Sequence, residues 1–173
     1  GDRTMTSIIK VDTLQTAAGG VPTAADLGLN VSGSVINVEH FTVTGSKTEA
    51  TTGTYINAWT VNYTPVSSNS AVYYNYSVSN RVYNNSGPDS RASIRVVVDG
   101  NTAAELYYIG AYDYGNSGPW LHVYQNVQAK AVNNDGSTMT AHYQIATAGA
   151  QGISFNESNS DSTSYLTVTE IAG

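Results

Sequence analysis

The sequence predicts an all-β protein, an antiparallel jelly-roll sandwich preceded by a short N-terminal arm. From Ser34 onward, strand-forming runs alternate with turn-rich segments about every ten residues, which is typical of a sandwich or barrel. The chain has 16 Gly and 13 Tyr residues, and only 12% of its residues are charged, which suits strands and polar turns better than helices. About nine strands with hairpins and longer crossings favour a jelly roll. An immunoglobulin-like sandwich is the second choice, although its usual cysteine pair is absent.

The length of 173 residues suits one domain plus an arm. Residues 1–4 look like the remnant of an expression tag. Residues 5–32 form the predicted arm, a short strand-like run followed by Gly- and Ala-rich sequence broken by Pro22. This segment has too little apolar surface to fold alone, so we expect contacts with a partner to order it. Residues 33–173 are the predicted head domain.

Alternating side chains define the strands of the head. The predicted strands are 34–43, 54–64, 71–79, 92–98, 103–112, 120–132, 138–147, 152–156 and 164–171. Neighbouring residues of a strand point to opposite faces, so Tyr73 and Tyr74 are expected on opposite sides of their sheet. In the last strand a bulge is predicted after Glu170, which would keep Ile171 on the same side as Val168.

The turns are of two kinds. Asp99 and Asp135 are each followed by Gly between apolar strands, and Asp-Gly pairs tolerate the positive φ angles of tight hairpins. Other connections are longer and polar, among them 80–91 and 113–119. Long loops on a rigid sandwich are where binding usually occurs.

Composition excludes several classes of function. Seven basic against 13 acidic residues give a net charge of −6 without a basic patch, so neither nucleic acid nor an anionic membrane is an expected partner. The absence of cysteine excludes disulfides, thiolate chemistry and Cys-ligated metals. No apolar run approaches the ~20 residues of a membrane span, and no secretory signal opens the chain. We therefore expect the protein to reach its working site on a larger particle.

No motif nominates a catalytic residue, a cofactor or a metal. His40, His122 and His142 are isolated in strand patterns and are interpreted as hydrogen-bonded sheet residues, because a metal site needs several converging ligands. The oxygen-rich segment 156–162 suits calcium in composition, but a solvated polar turn is the preferred interpretation.

Paired carboxylates are the remaining route to catalysis. A glycosidase needs two of them across a sugar site, and sequence does not exclude that two loop carboxylates meet after folding. A small polysaccharide-degrading domain, tested through Glu157 or Asp161, therefore stays as an alternative.

Tyrosine and tryptophan are the strongest functional signal, because their rings suit both sugar stacking and protein interfaces. In and beside the 113–119 loop, the predicted ligand-binding residues are Asp113, Tyr114, Asn116 and Trp120. The strand tyrosines predicted to lie at a trimer interface or to bind ligand are Tyr73, Tyr74, Tyr76, Tyr107 and Tyr108.

Three segments resemble one family. The opening SIIKVDTLQTAAGGVPTAADLGLNVSGSVI resembles that of small virion and tail-fibre-like proteins of marine tailed phages. The closing STSYLTVTEIAG is similar to the family's C-terminal strand, and NYTPVSSNSAVYYNYSVS is similar to its linker and following strand. The resemblance implies a C1q/TNF-like jelly-roll head that forms a homotrimer.

The resemblance further implies a non-enzymatic virion component on a tail fibre or capsid surface. In this interpretation the chain is a trimeric fibre tip or decoration domain that binds host-surface glycan or protein, and its arm contacts other virion proteins. A purely structural capsid or tail protein and a free carbohydrate-binding module are further alternatives.

Overall fold

The structure is a computed structural model that describes residues 32–43, 45–49, 53–83, 90–111, 120–147, 152–156 and 163–173. The predicted arm lies outside these residues except for Ser32.

The described residues form ten strands. They are β1 (Val35–Thr42), β2 (Lys47–Glu49), β3 (Ile56–Tyr63), β4 (Ser70–Tyr83), β5 (Ser90–Val98), β6 (Asn101–Ala111), β7 (Trp120–Asn133), β8 (Met139–Thr147), β9 (Gly152–Phe155) and β10 (Tyr165–Ala172). Each of the nine predicted strands is confirmed. The additional strand, β2, has only three residues in a polar segment, too few for an alternating pattern to stand out.

Two antiparallel sheets face each other. In sheet A, the long strand β4 pairs with β7 on one side. On its other side β4 pairs first with β10 and then, further along the strand, with β9. β1 pairs with β10, and β2 pairs with β9. Sheet B has the order β3-β8-β5-β6. The pairs β1–β10, β3–β8, β4–β7 and β5–β6 are nested along the chain, as in a long hairpin that has been rolled up. This is the jelly-roll arrangement, and it differs from the strand order of an immunoglobulin sandwich.

The core lies between the sheets and is rich in aromatic rings. Trp59 packs edge-on against Tyr76 with ring centroids 5.7 Å apart, and Tyr143 lies 5.2 Å from Phe155. Asn80 is fully buried and donates a hydrogen bond of 2.9 Å to the Tyr143 hydroxyl, which links β4 of sheet A to β8 of sheet B. Along much of β4 and β10, buried and partly exposed residues alternate, as the period of two requires.

The prediction for the end of β10 is wrong. β10 pairs with β4 without a register shift, and the irregularity lies on β1, between Val35 and Asn37. The alternation therefore continues through the strand, so that Glu170 is fully buried and Ile171 lies on the outer side. The sequence pattern grouped Ile171 with the apolar Leu166 and Val168, whereas a carboxylate is stable inside only when it has hydrogen-bond partners.

Hydrogen-bond donors within the fold make the inward position of Glu170 favourable. Its Oε2 accepts from the Tyr63 hydroxyl at 2.7 Å and from the Val66 amide at 2.8 Å, and its Oε1 accepts from the Ser67 amide at 3.0 Å. The carboxylate thus ties β10 to the end of β3 and to the segment that crosses from sheet B to sheet A.

The two Asp-Gly turns differ. Asp99 has a φ of 48° and Gly100 a φ of 80°, and they close the β5–β6 hairpin directly between paired Val98 and Asn101. This prediction is confirmed. The hairpin prediction for Asp135 is wrong, because β7 and β8 belong to different sheets.

The turn at Asp135 is instead held by side chains. Asn133 Oδ1 accepts from the amides of Asp135 and Gly136, and Asp135 Oδ1 accepts from the Ser137 amide. Side-chain oxygens here replace the ladder bonds of a hairpin.

Candidate functional site

The sandwich has two distinct ends. Tyr83, the last residue of β4, pairs with Trp120, the first residue of β7, so the strand ends that flank 84–89 and 112–119 lie together. At the opposite end, the amide of Gly33 donates to the carbonyl of Ala172, so the described chain begins there. We call this the arm end and the other the Trp120 end. β4 has 14 residues, which at ~3.3 Å per residue separates the ends by about 40 Å.

The predicted loop site lies mostly outside the described residues. This applies to Asp113, Tyr114 and Asn116. Trp120 is placed by its backbone at the start of β7, and its side chain is outside the described part. The side chains of Tyr107 and Tyr108 in β6 are likewise outside it, so these predictions stay predictions.

The tyrosines of β4 divide between the two faces. Tyr73 lies on the outer face of sheet A, where Lys130 Nζ is 5.5 Å from its ring centroid. Tyr74 and Tyr76 are core residues, exposed by 0% and 1%. For these two, burial in the core corrects the expectation that their rings contact a partner or a ligand in the folded chain, although Tyr76 also borders a depression on the outer face. Burial also raises the pKa of both phenols above the ordinary value.

Two of the three histidines are hydrogen-bonded across strands, as interpreted from the sequence. His40 Nδ1 lies 3.0 Å from Thr167 Oγ1, and His142 Nδ1 lies 2.9 Å from Thr60 Oγ1. The side chain of His122 is outside the described residues. Within the described residues, no three His, Cys, Asp or Glu side chains come together in a group that could hold a metal, and no helix is long and apolar enough to cross a membrane.

The outer face of sheet A carries most of the exposed large apolar side chains of the described residues. They are Val35, Val38, Tyr124, Val132 and Tyr165, which are 47–69% exposed, and a sixth, Val66, lies at the arm end. On this face, residues that pair across neighbouring strands lie side by side in rows. One row at the arm end holds Val35, Ile171, Ala71 and Val132. Six residues along β10 from Ile171, or about 20 Å, lies Tyr165.

Beside Tyr165 the face has a shallow depression of about 260 Å³. It is lined by Asn75, Tyr76, Ser77, Asn126, Val127, Gln128, Tyr165 and Thr167. Gln128 Nε2 donates to Asn75 Oδ1 at 2.8 Å. None of the lining residues carries a charge, so the depression combines an exposed aromatic ring with neutral amides and hydroxyls.

The described outer face of sheet B has more cross-strand pairs of polar side chains and lacks the exposed large apolar side chains of sheet A. The pairs are Thr60–His142 at 2.9 Å, Thr140–Asn62 at 3.1 Å and Gln144–Asn57 at 2.6 Å. Arg95 donates to Gln144 and lies over the ring of Tyr55, 4.0 Å from its centroid. The binding capacity of these groups is largely used within the face.

Three described carboxylates, Glu170, Asp99 and Asp135, accept hydrogen bonds within the fold. Although burial acts to raise it, hydrogen bonds from Tyr63, Val66, Ser67 and Ser70 hold the pKa of Glu170 below its ordinary value. Other described carboxylates, at Asp99 and Asp135, accept backbone amides in turns, and none lines the depression.

The hydrolase alternative rests on Glu157 and Asp161, which lie outside the described residues. In the part of the chain that the structure describes, the depression beside Tyr165 has no carboxylate in its lining.

Comparison with known proteins does not identify a family for this chain. No protein-family model matches the chain, and no curated protein matches its sequence. Solved structures that match include a structure of infectious bursal disease virus, Gx strain, with 9% identity and a TM-score of 0.26, covering 82% of this chain and 42% of that one. Another is the VP2 subviral particle of infectious bursal disease virus, with 10% identity and a TM-score of 0.27, covering 79% and 41%.

The chain spans less than half the length of these solved chains, and a likeness at this level carries no argument about family or function. The function must therefore be argued from the residues and their arrangement.

The depression was not found from the sequence. The signal present was the outward row of β10, with Tyr165, Thr167 and Thr169 on one side. Which residues of β4 and β7 would lie beside that row depends on the register between distant strands, which the alternating pattern does not specify.

Proposed function

We propose that this chain is a non-enzymatic surface module of a virion, fixed through its N-terminal arm and contacting the host surface with the Trp120 end. The observation that carries the proposal is that the start of the described chain and the predicted binding loop belong to opposite ends of the sandwich. The described chain begins beside Ala172, about 40 Å from the strand ends that flank the predicted binding loop. A module that is held at one end and binds at the other needs this arrangement. The family resemblance of the two chain ends supports the same role.

The proposal includes a homotrimer, implied by the resemblance. The apolar row at the arm end supports self-association, because Val35 and Val132 are each more than half exposed, and clustered exposed apolar side chains often mark interaction surfaces. Three copies would multiply weak single-site binding through effective concentration.

A cell-binding experiment tests the attachment role. The full chain is labelled with a fluorophore and incubated with a panel of marine bacterial isolates, and labelling is measured by flow cytometry. We expect at least one isolate to be labelled, and Trp120→Ala and Tyr114→Ala to lower the labelling about tenfold or more, as for aromatic residues at the centre of an interface. Glu39→Ala on β1, an exposed residue outside the loop and the apolar row, is the control and should label as the wild type does.

Two results would overturn the attachment role. One is that no isolate is labelled. The other is that labelling is insensitive to Trp120→Ala and Tyr114→Ala; together with a trimer in solution, that result would favour the purely structural alternative. Light scattering at several concentrations measures the trimer directly, and a constant mass of one chain would refute it.

A further inference from the structure

We propose that the depression beside Tyr165 is a binding site for one ring of a neutral saccharide. The proposal deepens the proposed function by adding a second site, on the outer face of sheet A, and by naming the class of its ligand. Its residues come from β4, β7 and β10, away from the predicted loop site.

The amide pair offers the chemistry that a sugar needs. Because Gln128 Nε2 donates to Asn75 Oδ1, both Nδ2 donors of Asn75 and the Oε1 acceptor of Gln128 have no partner within the described part of the chain. Each hydroxyl of a sugar both donates and accepts. Two neighbouring hydroxyls can therefore bond to Asn75 and Gln128 together, while their mutual hydrogen bond holds both side chains in place.

Tyr165 supplies an aromatic ring beside that pair. Its side chain is 49% exposed, on β10, opposite Ser77 of β4. An aromatic ring presents an apolar face together with a polar hydroxyl, which suits a sugar ring with C–H groups on one side and hydroxyls at its edge. The half-buried position restricts the ring, so less conformational entropy is lost when a ligand stacks on it.

Size and charge narrow the ligand class. A volume of about 260 Å³ lies just below the roughly 300–1,000 Å³ of typical small-molecule sites, so the site suits a single ring. None of its lining residues is charged, and Lys130 is instead placed over Tyr73. An anionic sugar would find no charged partner in the lining, whereas a neutral hexose or N-acetylhexosamine needs none.

Sheet B provides a natural control. The Asn57–Gln144 pair has the same donor and acceptor geometry, at 2.6 Å, but its glutamine also binds Arg95. Within sheet A, Tyr124 is an exposed tyrosine (69%) that does not line the depression. These residues match the proposed site in type without sharing its arrangement.

The experiment is an NMR titration of the full chain with four neutral sugars, glucose, galactose, mannose and N-acetylglucosamine, and with sialic acid as the anionic comparison, followed through the side-chain amide signals of Asn75 and Gln128. We expect at least one sugar to shift these signals with millimolar affinity, and the signals of Asn57 and Gln144 to stay in place. Tyr165→Ala should weaken the affinity about tenfold or more, and Tyr165→Phe should largely retain it. Tyr124→Ala, with the same change in side-chain size, should bind as the wild type does.

Three outcomes would overturn the inference. In the first, a sugar shifts signals at the Trp120 end while those of Asn75 and Gln128 do not move; the proposed function then stands and the second site does not. In the second, none of the four sugars shifts these signals, and the cell-labelling experiment still decides the proposed function separately. In the third, sialic acid shifts them as strongly as a neutral sugar, which contradicts the ligand class. Thermal unfolding of each variant shows whether its fold is retained, and Tyr165→Phe remains informative if Tyr165→Ala is unstable.

Discussion

The outer faces of the two sheets use similar polar residues in different ways. On sheet B, threonine, asparagine, glutamine and histidine side chains bond across neighbouring strands. On sheet A, large apolar side chains are exposed at the arm end, and the amides beside Tyr165 keep free donors and acceptors.

We interpret this difference as follows: the outer face of sheet B contributes mainly to stability, and the outer face of sheet A is available for association. A face whose polar groups bond to one another gains stability and has little left to offer a ligand, since each satisfied group must first lose a partner. A face with exposed rings and unsatisfied amides contributes less to folding and more to binding. We therefore expect substitutions on sheet B to change stability and substitutions on sheet A to change association.

The largest expected effect concerns Glu170, which joins the two sheets beneath both faces. Glu170→Ala leaves the Tyr63 hydroxyl and the amides of Val66 and Ser67 without their acceptor, so the free energy of unfolding should fall by about 3 kcal/mol or more. Urea denaturation measures this change. The control is Glu39→Ala on β1, an exposed carboxylate that should change stability by less than about 0.5 kcal/mol. Similar losses for the two variants would show that the carboxylate does not join the sheets.

Low pH should also weaken the hydrogen bonds of Glu170, with a smaller loss of stability than Glu170→Ala causes. Because hydrogen bonds lower the pKa of Glu170 in the folded state, its carboxylate stabilises the fold above the ordinary unfolded value of about 4.3, and this contribution is lost as the pH falls through the lower, folded pKa. Urea midpoints from about pH 7 to about pH 3 should fall more steeply for the wild type than for Glu170→Gln. Parallel curves would contradict the assignment.

Matched His–Thr pairs compare the faces directly. His142–Thr60 lies on sheet B and His40–Thr167 on sheet A, with nearly equal distances. His40 is exposed, whereas His142 is half-buried. Double-mutant cycles with alanine should therefore give a coupling of about 0.5–1 kcal/mol for the sheet B pair and less for the sheet A pair. A larger coupling on sheet A would reverse the comparison.

The smallest effect on stability is expected at the apolar row of sheet A. Val132→Ser and Val35→Ser should change the unfolding free energy of the isolated chain by less than about 0.5 kcal/mol, because both side chains are more than half exposed. Their effect should appear in light scattering, as a lower mass at a given concentration. A loss of stability without a change in mass would place these residues in the fold and remove them from the proposed interface.

Local patterns in the sequence were enough to predict the sandwich. Alternation with a period of two is a property of neighbouring residues, so it places Tyr73 and Tyr74 on opposite faces before any partner strand is known. The Asp99-Gly100 turn is equally local, since its positive φ angles depend on the two residues themselves. Local patterns did not distinguish the second Asp-Gly turn, because a hairpin there would require β7 and β8 to share a sheet.

The proposed binding site on the outer face of sheet A depends on distant parts of the chain. Asn75, Gln128 and Tyr165 are far apart in sequence and meet only through the register of three strands. Of the predicted loop site, only the backbone of Trp120 is described, so its test rests with the cell-labelling experiment.

Composition and alternation thus determined the class of fold, the low charge and the absence of cysteine chemistry, because these depend on residue types and on near neighbours. Tertiary structure alone decided that Glu170 faces inward and Ile171 outward, and that an amide pair lies beside Tyr165. A single bulge residue placed on β1 rather than β10 changes which side chains are buried. The inward position of Glu170 is favourable because hydrogen-bond donors are present inside the sandwich. A carboxylate is stable there only when Tyr63, Val66 and Ser67 donate to it.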